Sequence, residues 1–265
     1  MSGFLSISIL GSGSDGNAIV VSNGSRSLMV DAGFSCRELQ TRLARLTPAP
    51  APLAAALLTH DHADHVLGCR VFCDRLGIPA AASCRTAEYL RSRHRLPARF
   101  SEFEPGSRFE VADFAVSTFP VPHDAMDPVG FVIASGGLSV GIATDLGEID
   151  AVTKSSLQGC DALVLEANYD PDLLRNCGRP LRVKRRIAGR HGHLENGALC
   201  DALPELLSER TRLLMLVHVS RECNDPELVR TLARNKLDEM GRHDVILSVS
   251  GQDDPAGPFK LEEAR

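Results

Sequence analysis

The densest chemistry in the chain is Thr59-His60-Asp61-His62-Ala63-Asp64-His65, with three histidines and two aspartates in six consecutive residues. It follows directly on the apolar run Ala54–Leu58. Neutral imidazole and carboxylate are the ligands that borderline divalent metals take, zinc first among them. His60 and His62, two apart at the end of a strand, point to the same side. As the chain turns out of the strand, Asp64 and His65 reach a second point nearby. One short loop can therefore hold two ions. The competing reading is a solvated polar loop with chance histidines, but so dense a cluster reads as a metal site.

Two ions need roughly seven ligands and a bridging water, so further ligands must come from elsewhere. Three positions have the right chemistry: His123 after the strand Phe114–Phe119, Asp145 after Val140–Ala143, and His218 after Leu213–Val217. Each lies just past a strand's carboxyl end, where loops can converge on one rim. Taken singly, a strand-end histidine is more often a satisfied polar residue, and a strand-end aspartate a turn former or cap. The set argues what the members do not. Asp31, closing Leu28-Met-Val-Asp-Ala-Gly, and Asp61, inside the cluster, are expected to accept hydrogen bonds that orient the ligand loop. Glu166 and Asn168 stand after their strand as weaker candidates for the same rim.

The elements that must carry these residues are read from periodicity. Phe4–Leu10 is a strand, followed by the glycine-rich Gly11-Ser-Gly-Ser-Asp-Gly-Asn17. That turn lacks the Gly-Lys-Ser/Thr ending of a phosphate-binding loop. Ala18–Ser22 and Ser27–Asp31 flank Asn23-Gly24, a hairpin signal. Ser35-Cys-Arg-Glu38 is a capping box that opens a helix to about Leu46. The spacing Val66, Leu67, Val71, Phe72, Leu76 predicts a helix ending at Gly77, with Cys69 and Cys73 in its core. Ile78–Ala82 reads as a strand, Arg85–Arg95 as a helix, and Phe100 to Ile142 as a run of strands. Helices are predicted at Ile149–Leu157, Leu194–Leu207 (bent at Pro204) and Pro226–Met240. Pro171–Arg175 reads as a helical turn, and Ala162–Glu166, Leu213–Val217 and Val245–Val249 as strands. Strand clusters separated by helices fit an α+β fold, an αββα sandwich of two mixed sheets with helices outside. Neither a repeat nor a composition shift marks a second domain, so one domain over residues 1–265 is expected.

Bulk composition narrows the class. The 265 residues are 43% hydrophobic and 24% charged, ordinary for a globular chain. A net charge of -5 carries no global attraction to nucleic acid or membranes, though a local basic face can sit on an acidic whole. The start Met1-Ser2-Gly3-Phe4 lacks a basic leader, and no apolar run approaches the ~20 residues of a membrane span. Eight cysteines without a C-x-x-C spacing suggest reduced thiols. A cytoplasmic, membrane-free protein is the expectation, with oligomeric state left open.

The pattern H-x-H-x-D-H, carried by His60, His62, Asp64 and His65, resembles the signature of the metallo-β-lactamase fold hydrolases. The resemblance implies that His60, His62 and His123 hold one metal and Asp64, His65 and His218 the second, with Asp145 bridging. It implies two divalent ions, zinc in the first instance with manganese or iron as alternatives. Asp64 and His193 would then be the catalytic residues. His193 lies in Arg190-His-Gly-His-Leu-Glu-Asn196, which opens a helix whose amino end can attract phosphate. In nucleic-acid-processing members, including the tRNA 3′-processing enzymes, a histidine at a comparable helix start serves phosphodiester cleavage. Three stretches together are similar to the YycJ/WalJ-like branch across essentially the whole chain. They are the opening Gly-Ser-Gly-Ser-Asp-Gly-Asn, Pro122-His-Asp-Ala-Met-Asp-Pro-Val-Gly-Phe131 and Gly-His-Leu-x-Asn. That branch implies a cytoplasmic bacterial hydrolase with 5′→3′ exonuclease activity on DNA. Glu195 departs from the serine expected there, and no extra nucleic-acid-binding insertion fits in the chain.

A dimetal site makes a hydroxide nucleophile at neutral pH and serves amides, thioesters and phosphodiesters alike. The surroundings must choose. From Arg175 to Arg190 the chain carries seven basic residues and no acidic one. Arg182, Lys184, Arg185, Arg186 and Arg190 are the expected phosphate-backbone contacts. The ordinary alternative for this run is a solvated face. With few aromatics, base stacking is not suggested. The reading is a dimetal phosphodiesterase acting on nucleic acid, most simply a DNA exonuclease. The alternatives are a dimetal hydrolase of a small thioester, lactone or cyclic phosphodiester, an iron-dependent redox enzyme on the same ligands, and a metal-stabilised scaffold.

Overall fold

A computed structural model describes residues 3–263, so Met1 and Ser2, where a leader was sought, lie outside the described residues. Two mixed sheets of seven strands each pack face to face. The first runs β14 (Ala256–Glu262), β1 (Phe4–Gly11), β2 (Ala18–Ser22), β3 (Ser27–Val30), β4 (Leu53–Leu57), β5 (Ala80–Ser83), β6 (Phe100–Phe103). The second runs β13 (Ile246–Val249), β12 (Leu213–Val217), β11 (Ala162–Glu166), β10 (Leu138–Ala143), β9 (Val129–Ser135), β8 (Phe114–Pro120), β7 (Arg108–Val111). In each sheet one half is antiparallel and the other parallel: β3 to β6 in the first, β10 to β13 in the second.

The apolar strands are buried on both faces, which is why they read as nearly continuous hydrophobic runs. In β11, Ala162 and Val164 face the other sheet while Leu163 and Leu165 face outward into a helical layer. In β12, Leu213, Met215 and Val217 point inward and Leu214 and Leu216 outward. The outer layer of the second sheet is α5 (Ala151–Leu157), α8 (Asn196–Leu206) and α9 (Pro226–Glu239), which bring in Leu157, Leu199, Leu203 and Leu237. The first sheet is covered by α1 (Cys36–Arg45), α3 (Cys69–Leu76) and α4 (Cys84–Ser92), through Leu39, Phe72, Cys73 and Leu90. Each such leucine contributes about 1.5–3 kcal/mol by leaving water. The αββα sandwich expected from the strand and helix clusters is the fold observed. No helix among the described residues is long and apolar enough to cross a membrane.

Several elements depart from the sequence reading. The helix expected after the metal motif is two pieces, α2 (Ala63–Val66) and α3, separated at Gly68. A side chain at Gly68 would meet the Phe34 carbonyl oxygen at 2.0 Å, so close packing on that backbone sets the break. Of the residues whose spacing predicted the helix, Leu67, Val71 and Leu76 are exposed, while Val66 and Phe72 are buried beside Cys69 and Cys73, the two expected in its core. Ser35 caps α1 by accepting from the Glu38 amide, but the Glu38 carboxylate binds Arg42 instead of closing the box. The basic run folds as α6 (Pro171–Asn176) and α7 (Leu181–Ile187), the second of which the sequence reading left as an unassigned stretch. β14, also unassigned, returns to pair with β1.

Candidate metal centre

The site sits where the strands of both sheets end. Thr59 and His60 follow β4, Asp31 follows β3, Asp145 follows β10, Glu166 ends β11, and His218 follows β12. These are the carboxyl ends of the parallel strands, the rim at which open α/β sheets bind ligands. His123 comes to the same rim after β8. Asp31, Asp145 and His218 have φ of 62°, 54° and 56°. Left-handed backbone costs a non-glycine residue on the order of 1–3 kcal/mol, and its concentration on three rim residues marks a functional site.

The cluster closes on itself. Ligand atoms of His60, His62 and His123 lie within 4.8 Å of one another, as do those of Asp64, His65 and His218. A further group of the same span joins His60 and His65 to Asp145. His123 Nδ1 donates to the Gly192 carbonyl at 2.9 Å, which leaves Nε2 facing His62 Nδ1 at 3.3 Å. Asp145 reaches across both groups, with Oδ2 3.1 Å from His65 Nε2 and Oδ1 3.4 Å from His218 Nδ1 and 3.8 Å from His123 Nε2.

The donor set fits divalent ions. His65 Nδ1 is 2.7 Å from Asp31 Oδ2 and donates to it, so the lone pair on Nε2 faces the Asp145 carboxylate. Two lone pairs at that distance need a cation or a proton between them. His60 Nε2, His218 Nε2 and Asp145 Oδ2 are buried with no hydrogen-bond partner. Unsatisfied buried polar atoms cost about 1–3 kcal/mol each, and three of them within these adjoining groups fit a site built for ions. Without it protons substitute. Burial works against the charged form of His218, yet Asp145, Asp64 and Glu166 outweigh it and lift its pKa to about 10. Burial likewise opposes a charged His65, whose pKa Asp145 and Asp31 nevertheless raise well above the ordinary value. Burial opposes ionisation of Asp145 too, but His218 and His65 hold it well below the carboxylate range. His60 is lowered, first by burial and then by His65.

A supporting layer orients these ligands. Asp31 Oδ1 accepts from the Thr59 amide at 2.8 Å, and the Thr59 hydroxyl bridges Asp31 to His60 Nδ1 at 3.0 Å. Asp61 accepts from the Met126 amide and so ties the histidine motif to the His123 segment. The glycine-rich turn Gly11–Asn17 lies beneath the second group. Ser12 Oγ accepts from the His218 amide and donates to Asn17 Oδ1. The Asn17 amide nitrogen stands 3.0 Å from His65 Nε2 and 3.3 Å from Asp64 Oδ2. Gly33 has no room for a side chain, since a Cβ there would lie 1.6 Å from the Asp64 carbonyl oxygen. Asp31→Asn keeps the shape but puts an amide where one or both donors must land. It is expected to weaken metal binding about 10–100-fold, measured by titrating the metal-free protein. Wild-type affinity in the variant would remove Asp31 from this role.

The residue that sequence reasoning undervalued is Glu166. It is wholly buried, which a carboxylate tolerates only when its lone pairs are matched. Oε1 accepts from His193 Nδ1 at 2.7 Å and His218 Nδ1 at 2.8 Å, while Oε2 accepts from the Leu146 and Leu194 amides at 2.9 and 3.3 Å. Burial disfavours its charge, but His193 and His218 keep the pKa low. His193 is itself only part-buried, and with Nδ1 engaged its Nε2 is the free nitrogen. It precedes the helix: α8 begins at Asn196 after Glu195, whose side chain makes no capping bond. The signal for Glu166 was an acidic residue ending an otherwise apolar strand.

The basic run divides. Arg186 grips Asp124, the neighbour of His123, at 2.5 and 2.8 Å. Asp124 raises the Arg186 pKa, with Asp145 and Asp64 adding to it across the centre. Arg190 pairs with Glu148, Arg179 with Glu222 and Arg175 with Asp172. Lys184 donates to the Arg175 carbonyl. The stretch without acids in sequence is thus met by acids from other segments. Arg182 and Arg185 have no ionic partner among the described residues.

Comparison with known proteins places this architecture. The beta-lactamase superfamily domain family matches residues 26–219. The chain is 32% identical over 234 residues to exodeoxyribonuclease WalJ of Streptococcus pneumoniae, covering 87% of each. It is 30% identical over 240 residues to exodeoxyribonuclease YycJ of Bacillus anthracis, covering 89% of this chain and 90% of that one. The crystal structure of the metallo-β-lactamase fold protein YhfI from Bacillus subtilis superposes with a TM-score of 0.71 at 15% identity, over 98% of this chain and 100% of that one.

Proposed function

This chain belongs to the metallo-β-lactamase superfamily, in company with WalJ and YycJ, and from that membership we propose that it is a dimetal-dependent exonuclease acting on DNA. By analogy with the branch, the direction is 5′→3′. Metal-dependent hydrolysis follows from the superfamily and the named nuclease relatives. The choice of phosphodiester over thioester or lactone rests on one observation. His193, outside the two proposed metal sets, is held by the buried Glu166 that also holds His218.

His60, His62 and His123 would hold one ion, Asp64, His65 and His218 the other, and Asp145 both. Bound there, divalent ions supply Lewis acidity and lower the pKa of a water. The protein's own groups do the rest. Glu166 accepts from His193 Nδ1 and so fixes the tautomer, which presents Nε2 to the substrate. With the ring doubly protonated, Nδ1–H stays on Glu166 while the Nε2 proton passes to the leaving oxygen as the phosphorus–oxygen bond breaks, leaving the neutral Nδ1–H imidazole. Although Asp145, Glu166, His193 and His218 also lie close enough to share an ion, both Glu166 oxygens are already saturated by four donors. Arg186 at the rim is the cation placed for a phosphate, exchanging Asp124 for it. Arg182 and Arg185, which precede it on α7, would be outer backbone contacts, and Arg190 and Lys184 must first leave their present partners.

The test is degradation of DNA and RNA labelled at either end, with added Mn²⁺ or Zn²⁺, beside His193→Ala. Loss of label from the 5′ end of DNA, absent in the variant, is the expected result. Intact nucleic acid under conditions where thioesters or lactones turn over would overturn the assignment. Arg186→Ala is expected to raise KM for DNA about tenfold and to lower the salt slope of binding by about one. An unchanged salt slope would remove Arg186 from the phosphate path.

A further inference from the structure

Among the cysteines, Cys177 and Cys223 stand apart. Their sulfurs are 3.3 Å from each other although 46 residues separate them in the chain. Cys177 is half-buried at the carboxyl end of α6, and Cys223 is buried in the loop that follows His218. We propose that this pair is an oxidation site, at which a peroxide-class oxidant forms a disulfide that fastens the α6–α7 segment to the His218 loop.

The two thiols are chemically unequal in the way such a site needs. The Cys223 thiol donates toward Cys177 Sγ, and the Cys177 thiol in turn donates to the Leu174 carbonyl at 3.2 Å. Burial works against a Cys177 thiolate, but the Arg179 amide, the Cys223 thiol and the charges of Lys184 and Arg179 lower its pKa. Burial and the Cys177 contact push Cys223 up to about 11. An accessible, acidified thiol beside a second cysteine is the arrangement of a redox-responsive pair. Cys69 and Cys73 contrast with it: both are buried one turn apart on α3, and the Cys73 contact, then burial, push the Cys69 thiol well above its ordinary value.

The chemistry closes in two steps. The Cys177 thiolate attacks one peroxide oxygen, forming an S–O bond as the O–O bond breaks, and the departing oxygen leaves as water after protonation. Cys223 sulfur then attacks Cys177 sulfur, forming the S–S bond as the S–O bond breaks, and a second water leaves. Two thiols are oxidised and one peroxide is reduced to two waters. A dithiol reductant reverses the step. The consequences fall on the site's flanks. Cys223 O accepts from the Asp170 amide, Asn224 is hydrogen-bonded to Asn196 and the Ala167 carbonyl, and α7 carries Arg186.

The experiment treats the reduced, purified protein with hydrogen peroxide at low stoichiometry, then counts thiols in denaturant and maps peptides without reduction. Of eight cysteines, two should be lost and six remain (8 − 2 = 6). A Cys177–Cys223 linked peptide should account for the loss, with a melting temperature higher by roughly 5 °C. Cys177→Ser should keep all its remaining thiols under the same treatment, whereas Cys223→Ser should lose the Cys177 thiol to the sulfenic acid without forming a disulfide. A disulfide mapping to another pair, or Cys177 advancing to the sulfinic acid with Cys223 still a free thiol, would overturn the proposal. Neither outcome depends on nuclease activity, so this site and the proposed function stand or fall separately.

Discussion

Asp145→Ala is expected to empty both metal positions and reduce hydrolysis to the level of metal-free protein. Its two oxygens reach both groups, 3.1 Å from His65 Nε2 and 3.4 Å from His218 Nδ1 on one side and 3.8 Å from His123 Nε2 on the other. Among the described residues no second carboxylate joins the two histidine groups: Asp64 serves one group only, and Glu166 is committed to four donors. Removal therefore leaves one ion among neutral imidazoles and the other with Asp64 as its one carboxylate. A loss of three orders of magnitude in affinity for each ion, about 4 kcal/mol, is the expected scale. Elemental analysis after dialysis should read two ions per wild-type chain and none per variant, with circular dichroism unchanged. Asp145→Asn separates charge from shape: the amide keeps the volume, and it too should lose both ions. Retention of both ions by either variant would mean that Asp145 does not bridge them.

How far this centre was legible in the sequence depends on how local each signal was. His60, His62, Asp64 and His65 are contiguous, so one loop declared them. Asp145 and His218 could be chosen because each follows an apolar strand and a parallel strand's carboxyl end is a shared rim, and His123 because it follows the apolar strand β8, whose neighbours are antiparallel. The alternating and continuous apolar runs also made the sandwich readable, since sheets covered on both faces have few residue types to use. Glu166 was harder to weigh. Its identity as a buried acid was visible, but the two histidines that justify it come from 27 and 52 residues away. The Asn17 turn carried a recognisable pattern without a readable purpose, because Asp64 and His65 reach it only through packing.

The basic run shows where local reading misleads. Seven cations without an acid look like an open phosphate track, yet charge neutralisation is a tertiary event. Asp124, Glu148 and Glu222 arrive from three other segments and leave Arg186 as the cation tied to the metal rim. The same limit touches α3: of the apolar residues whose spacing marked a helix, Val66 and Phe72 face the core while Leu67, Val71 and Leu76 face solvent. Periodicity identifies a helix more securely than it identifies the side that is buried.

His193→Ala carries the second large effect, and its value lies in what it spares. The metal ligands do not include it in the proposed assignment, so the variant should retain two ions while turnover falls about 10²–10⁴-fold, the range for loss of a general acid. Glu166→Gln tests whether His193 acts alone. The glutamine oxygen can still accept from one side, but its amide then confronts either the histidines or the Leu146 and Leu194 N–H groups. An unsatisfied contact of this kind costs about 1–3 kcal/mol of stability, and through His218 it should weaken metal binding as well. At saturating metal, the remaining loss of turnover reports the His193 connection. If Glu166 works by holding His193, the double variant should be no slower than His193→Ala, because groups acting as a unit do not multiply. A multiplied loss would place the effect of Glu166 on His218 and the metals instead. If His193→Ala sheds an ion, the histidine is a ligand, and the proton for the leaving group must come from elsewhere.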